Sequence, residues 1–228
     1  MWRGTTRQTA CGMTAPAKNY PPLRRARLST QALAEAFASY AREGVVPDVR
    51  SDAFGLGLAR VSEIARSAGI TRALHSAQDK SDSVLDHATD DDFVSASWLE
   101  SPRPVVTLEA DVVSLKRVPA GTAVSYGYEY RTVKETTLAL VSLGFADGVP
   151  RTASGIGRVS LGGSLHTIAG RIAMDQMVLD IGDASVELGD VATVWGAEPS
   201  LSQWSQWSGR PVPLLVSHLA PRVVKIWS

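Results

Sequence analysis

The spacing of apolar positions changes part-way along the chain. Between residues 28 and 70 it is helical: Leu33, Ala36, Phe37 and Tyr40 fall on one stripe, and Leu58, Val61, Ile64 and Ala65 on a second. Ser29 or Thr30 stands where a helix cap accepts an orphan backbone N–H, and Gly44 and Gly69 stand where the two helices would stop. Between them, Val45, Val46 and Val49 predict a short strand interrupted by Pro47, and Ser51–Gly57 a glycine-bearing turn. Thr71–His75 predicts one more strand. A strand and helix with a preceding helix are the material of α/β architectures.

From residue 105 the spacing turns to short strands. Val105–Val118 is a long strand-prone run that ends at Pro119-Ala120-Gly121, and Thr136–Leu143 is a second. Arg158–Leu161, then Gly162-Gly163, then Ser164–Ile168 predicts a two-residue hairpin, since glycines allow the positive φ such turns demand. Met177–Ile181 and Val191–Trp195 follow. Many short strands with glycine-rich turns predict a small barrel or sandwich. Ser202, Trp204, Trp207 and Leu214–Leu219 predict a short closing helix or strand. The fold class expected is therefore α+β, a partial α/β segment followed by an all-β barrel domain.

Composition adds two segments to this picture. Residues 76–103 are rich in serine and hold Asp79, Asp82, Asp86, Asp90, Asp91 and Asp92, which reads as an acidic, solvated linker at a domain boundary. The aspartate spacing does not match the EF-hand series and lacks its glycine, so no metal site is expected. Residues 1–27 hold six basic groups (Arg3, Arg7, Lys18, Arg24, Arg25, Arg27) and no acid, which reads as a flexible basic tail, with a targeting segment as the other reading. Over the whole chain 23 basic residues balance 23 acidic ones, so the remainder is acidic and no basic surface for nucleic acid is expected. With 44% hydrophobic residues the chain is too apolar for wholesale disorder. At 228 residues it is too short for a complete eightfold α/β barrel, typically about 250 residues, plus a second domain. Cys11 is the only cysteine, which excludes an internal disulfide and a thiolate metal site. No apolar run approaches the roughly 20 residues of a membrane span. A cytoplasmic protein without a membrane partner is expected.

Chemistry enters through motifs. Pro119-Ala120-Gly121, Ser125-Tyr126-Gly127, Gly144-Phe145-Ala146-Asp147-Gly148, Arg151, Gly170-Arg171-Ile172-Ala173-Met174-Asp175-Gln176, Gly189-Asp190 and Val216–Val223 follow one another in an order and spacing that resembles the C-terminal β domain of bacterial alanine racemases. The resemblance covers about 120 residues. It implies a domain organisation of tail (1–27), remnant of a pyridoxal-phosphate-binding α/β barrel (28–75), linker (76–103) and β domain (104–228). It also implies an isomerase that interconverts L- and D-alanine as a head-to-tail dimer, with each site shared between one subunit's barrel and the other's β domain. There the cofactor makes the substrate's Cα proton acidic, and one acid/base group works on each face of the carbon.

Carried over residue by residue, Tyr126 matches the catalytic tyrosine, and Met174 the position whose backbone N–H contacts the substrate carboxylate. His218 stands for a phosphate-binding tyrosine of the closing motif. Phe145 replaces a tyrosine and removes a hydroxyl near the site entrance. Val49–Gly57 matches the strand-end motif that carries the cofactor lysine, through Ala53, Gly55 and Gly57, but Asp52, Phe54 and Leu56 depart from it. Arg50 takes the place of the lysine. A guanidinium is effectively never deprotonated in proteins, so it neither forms the imine nor serves as a base. Two arginines of the family site, one for the pyridine nitrogen and one for the carboxylate, belong to the part of the barrel that is missing. Independent catalysis is not expected from such a chain. Two other readings are a non-catalytic module that docks a full-length racemase and supplies Tyr126 in trans, and a decayed product with no role beyond folding.

Overall fold

A computed structural model describes residues 23–76, 78, 79 and 83–228. Cys11 and the basic residues through Lys18 lie outside them. The first helix, α1 (Thr30–Glu43), starts where Ser29 Oγ accepts the Ala32 N–H at 3.2 Å and stops at Gly44, which takes a left-handed φ of 69°. A short strand β2 (Val46–Pro47) follows. The predicted glycine-bearing turn is a single left-handed turn, α2 (Arg50–Gly55), in which Ser51, Asp52, Ala53 and Phe54 all have φ between 52° and 57°. Each such residue costs about 1–2 kcal/mol. The turn is held by Ala53 N–H to the Val49 carbonyl (2.9 Å), by Asp52 Oδ1 accepting the Leu58 N–H (2.7 Å), and by burial of Ala53 and Phe54. Helix α3 (Leu58–Ser67) and strand β3 (Arg72–Ala73) complete the predicted unit.

From residue 85 onward, the stretch read as an acidic linker is built into the fold instead. Strand β4 (Asp86–His87) pairs in parallel with β3, and β5 (Val94–Ser95) pairs in parallel with β2. An Asp48–Leu74 bridge joins β2 to β3, giving a small parallel sheet in the order β4-β3-β2-β5. Leu85, Trp98 and Leu99 are buried, and the Trp98 indole N–H donates to the Asp48 carbonyl at 2.9 Å. Trp98 also packs on Phe37 and Phe54. The aspartates conceal these apolar residues when the segment is read by composition. One of them, Asp92, pairs with Arg72 at 2.6 Å.

A second correction falls on the basic tail. Its last residues form strand β1 (Arg24–Leu28), which lies between β6 (Val106–Val118) on one side and β14 (Val224–Trp227) on the other. Ala26 and Leu28 are completely buried at period two. Arg25 is almost fully buried, with Nε 2.9 Å from Glu109 and Nη1 2.8 Å from Asp111. A count of charge reads this segment as a tail because three of its five residues are arginines.

The remaining strands form the predicted barrel. β6 is long enough to serve two neighbours on one edge: its first half pairs with β1 and its second half with β9 (Thr136–Val141). β9 pairs with β12 (Met177–Gly182), and an Ile168–Leu179 bridge carries β12 to β11 (Ser164–Thr167). β11 forms the predicted hairpin with β10 (Arg158–Leu161), β10 pairs with β13 (Val191–Trp195), and β13 returns to β6. The ring closes, which removes its sheet edges. Alternate residues Met177, Leu179 and Ile181 of β12 face inward. Outside the ring, α4 (Leu201–Ser208) begins with a reciprocal Ser200–Gln203 cap. It seats Trp204 against Trp195, and α5 (Val212–Ser217) follows. Among the described residues no helix is long and apolar enough to cross a membrane.

Candidate functional site

Tyr126 sits at the tip of a two-stranded ribbon formed by β7 (Ala123–Val124) and β8 (Tyr130–Arg131), and 70% of it is exposed. Ser125, Gly127 and Tyr128 at the same tip have φ of 60°, 82° and 52°. Positive φ at two non-glycine residues marks a tip fixed by its surroundings. Ser125 Oγ donates to the Arg171 carbonyl at 2.5 Å. The Arg171 guanidinium pairs with Glu129 and lies against Gly127, where a Cβ would sit 3.3 Å from Arg171 Cζ. Hydrogen bonding to Arg171 holds the Glu129 carboxyl below its ordinary range. At the base of the ribbon, Tyr130 Oη donates to Asp180 at 2.6 Å. Burial first, and then this bond, push the Tyr130 phenol up to about 12. Burial opposes the Asp180 charge, but hydrogen bonds from Thr136, Tyr130 and the Gly182 amide outweigh it and hold that carboxyl low.

Met174 lies three residues beyond Arg171, in a tight turn closed by the Ala173 N–H and the Gln176 carbonyl at 3.0 Å. A neighbouring turn of 3₁₀ type, Phe145–Asp147, fastens it. Phe145 N–H donates to the Ala173 carbonyl at 3.0 Å, and Ala146 N–H to the Met174 carbonyl at 2.9 Å. A trans peptide sets its C=O and N–H in opposite directions. The Ala173 carbonyl and the Met174 N–H share one peptide, so that N–H points away from the Phe145 turn. The Met174 residue as a whole is 56% exposed.

A charge cluster underlies both turns. Asp147 is fully buried, accepts the Gly144 N–H through Oδ2 at 2.8 Å, and lies 2.6 Å from Arg222 Nε. Arg222 also reaches Asp175 at 2.6 Å. Hydrogen bonds to Asp175, and then the charge of Asp147, keep Arg222 even more firmly protonated than usual. The Tyr126 ribbon and the Met174 turn are thus gathered into one loop cluster on the barrel.

Arg50 and His218 are held by partners of their own. Asp48 grips Arg50 with both oxygens, at 3.0 Å from Nε and 2.6 Å from Nη2, and this bonding raises the guanidinium above its ordinary range. Lys225 of β14 donates to the Gly55 carbonyl of the same left-handed turn. His218 caps α5, with Nδ1 2.7 Å from the Leu214 carbonyl, and its own carbonyl fills the space beside Gly148. Among the described residues no hydrogen bond or ion pair joins Arg50 or the His218 ring to the Tyr126–Met174 cluster. Phe145 packs under Arg151, whose Cζ is 5.7 Å from the ring centroid. Sequence reading missed the partners Asp48, Asp175 and Asp180. Asp48, two residues from Arg50, and Asp175, beside Met174 in its motif, carried a local signal.

These features define a class: a closed β barrel with a tyrosine-tipped ribbon and a methionine turn in one loop cluster, preceded by a short parallel α/β segment. Residues 105–227 match the family profile described as alanine racemase, C-terminal domain, and the chain belongs to the alanine racemase family. The alanine racemase of Salinispora arenicola is 50% identical over 111 residues, covering 47% of this chain and 30% of that protein. That of Streptomyces coelicolor is 45% identical over 129 residues, covering 55% and 33%. The chain thus spans about a third of the length of these curated relatives. Among solved structures, the alanine racemase of Streptomyces lavendulae aligns over 92% of this chain and 98% of its own, with a TM-score of 0.72 at 21% identity. A Bartonella henselae alanine racemase with covalently bound pyridoxal phosphate aligns over 91% and 100%, with a TM-score of 0.75 at 15% identity. At such identities the likeness shows the fold alone.

Proposed function

We propose that this chain is a racemase-type β domain that works by docking a full-length alanine racemase and lending Tyr126 to the shared site, and that it is not a self-sufficient isomerase. The observation that carries this reading is the exposure of Tyr126 on a tip pinned to Arg171, in one cluster with an outward Met174 N–H. A surface that faced a partner's barrel would have this form.

Pyridoxal phosphate, covalently held in the Bartonella relative, renders an amino acid's α-proton acidic when bound. The residues here do not fit its covalent attachment. An imine needs an amine with a free lone pair, and Arg50 offers a guanidinium locked to Asp48. Two copies of this chain would bring together two such sites, so an active pair needs a partner that holds the lysine. In that pair the Tyr126 hydroxyl carries a proton on one face of the substrate carbon, and the Met174 N–H donates to the substrate carboxylate. Positive φ at Ser125, Gly127 and Tyr128 sets the course of the backbone that carries Tyr126 at the ribbon tip.

The test has two arms. The purified chain mixed with pyridoxal phosphate is expected to show no imine absorbance band and no conversion of L- to D-alanine. Co-expressed with a full-length alanine racemase, it is expected to co-purify as a mixed pair. Racemisation by the chain alone that is lost in Tyr126→Phe would overturn the reading, and so would a chain that never enters a mixed pair.

A further inference from the structure

A ribbon of two-residue strands is marginal on its own in water. The tip between β7 and β8 nevertheless holds two non-glycine residues, Ser125 and Tyr128, at positive φ. A segment from outside the ribbon supplies the support. Gly170, with φ 80°, lies so close to it that a Cβ there would meet the Val124 carbonyl oxygen at 2.9 Å and the Ser125 Cβ at 3.0 Å. Arg171 then touches the tip on both sides of Tyr126. Its carbonyl accepts the Ser125 hydroxyl at 2.5 Å, its guanidinium lies against Gly127, and Nη2 pairs with Glu129. Gly127 admits the guanidinium because it has no side chain: a Cβ would stand 3.3 Å from Cζ, 3.4 Å from Nη1 and 3.5 Å from Nε. Met174 is three residues further on. One short stretch thus carries both the support of the tip and the outward N–H.

We propose that Arg171 and Glu129 are positioning residues for Tyr126, and that their ion pair holds the ribbon tip at a set distance from the Met174 turn. The proposal rests on the reading of Tyr126 and Met174 as parts of one shared substrate site. Neither Arg171 nor Glu129 needs to touch the substrate. Their side chains are 41% and 57% exposed, and an exposed pair of this kind contributes little to stability. Placement is where such a pair matters, since a displacement of about 1 Å can slow a reaction about a hundredfold. The pair therefore serves the geometry of the site more than the stability of the barrel. Glu129 is the member to change, because Arg171 also packs against Gly127.

The test reads Glu129→Ala in two ways. In the chain alone, ¹⁵N relaxation gives the backbone order parameters of Tyr126, Gly127 and Tyr128. They are expected at about 0.85 in the parent and below about 0.6 in the variant, with the unfolding temperature unchanged. The second reading uses a mixed pair with a full-length alanine racemase whose own ribbon tyrosine is replaced by phenylalanine. There, at saturating chain, Glu129→Ala is expected to lower kcat about tenfold or more and to leave KM for alanine within about twofold, because the Met174 turn is untouched. Glu129→Gln keeps an acceptor oxygen for the guanidinium and is expected to retain most of the order and of the rate. Tip amides as ordered in Glu129→Ala as in the parent would overturn the proposal. So would a mixed pair whose kcat is unchanged, or a loss that appears in KM alone. Failure of the parent chain to enter any mixed pair would overturn the docking reading instead, and the proposal would then stand or fall on the order parameters.

Discussion

Gly144→Ala probes the contact that fixes the Met174 turn. Gly144 has φ −141° and ψ −166°, an extended conformation open to any residue, so the substitution adds no backbone strain of its own. Its effect is purely one of contact. A Cβ at this position would lie 2.4 Å from the carbonyl oxygens of both Ala173 and Met174. These are backbone atoms that cannot swing aside as a side chain would. Two outcomes are open to the protein. It can keep the turns together and bear the overlap, about 1–3 kcal/mol. Alternatively, it can part them and lose the Phe145–Ala173 and Ala146–Met174 hydrogen bonds, about 0.5–1.5 kcal/mol each. The two routes are alternatives and do not add, so the expected loss is about 1–3 kcal/mol. Urea unfolding measures it: at a slope of about 2 kcal/mol per molar urea, the midpoint falls by about 0.5–1.5 M. Gly121→Ala is the control. Gly121 has φ 80° and open space around it, so alanine there costs only the left-handed conformation, about 1–2 kcal/mol. If Gly144→Ala leaves the midpoint at the parent value while Gly121→Ala lowers it, the two turns are not packed as described.

Two further outcomes follow from the structure. Arg25→Met strands the Asp111 carboxylate and leaves Glu109 with Arg27 alone, so thermal unfolding is expected to show a loss of about 3 kcal/mol; parent-like unfolding would mean that β1 is not part of the sheet. Tyr130→Phe removes a donor from Asp180 and is expected to cost about 1–2 kcal/mol near neutral pH. The Tyr130 phenol is raised, so its contribution is complete below about 10 and is lost as pH climbs through about 12. The Asp180 carboxyl is lowered, so its contribution holds above about 3.9 and is lost as pH falls through its lower folded value. Denaturation of parent and variant across pH is therefore expected to converge at both extremes and to differ most between them; a difference that grows above pH 10 would refute the sign.

Much of the β domain was legible because its signals are local. The Gly162-Gly163 hairpin, the alternation in Met177–Ile181 and the Gly44 helix stop each need only a few neighbouring residues to specify them. The failures share one physical cause, namely residues whose meaning depends on distant partners. Arg24–Leu28 looks like a basic tail until Glu109 and Asp111, more than eighty positions away, stand beside Arg25. Trp98 and Leu99 sit beyond a run of aspartates, and only the return of β5 to β2 shows that they enter the core. In the candidate site, the motifs picked out Tyr126 and Met174, but not what holds them. Asp180 reaches the ribbon from another strand, and no spacing rule connects it to Tyr130. Asp147 lies within the Gly144–Gly148 motif, but its pairing with Arg222 depends on the distant closing segment. Arg50 was legible as chemistry in the sequence, and its clamp by Asp48 adds the reason why the guanidinium stays where it is.

The most direct measurement is the L-to-D rate of a full-length alanine racemase that keeps its lysine but has its own ribbon tyrosine replaced by phenylalanine, taken with and without this chain. A docked β domain that lends its phenol predicts that the wild-type chain restores racemisation in the mixed pair and that the Tyr126→Phe chain, which pairs equally well, does not. A mixed pair that forms but stays inactive, or one that the Tyr126→Phe chain activates equally, would contradict it.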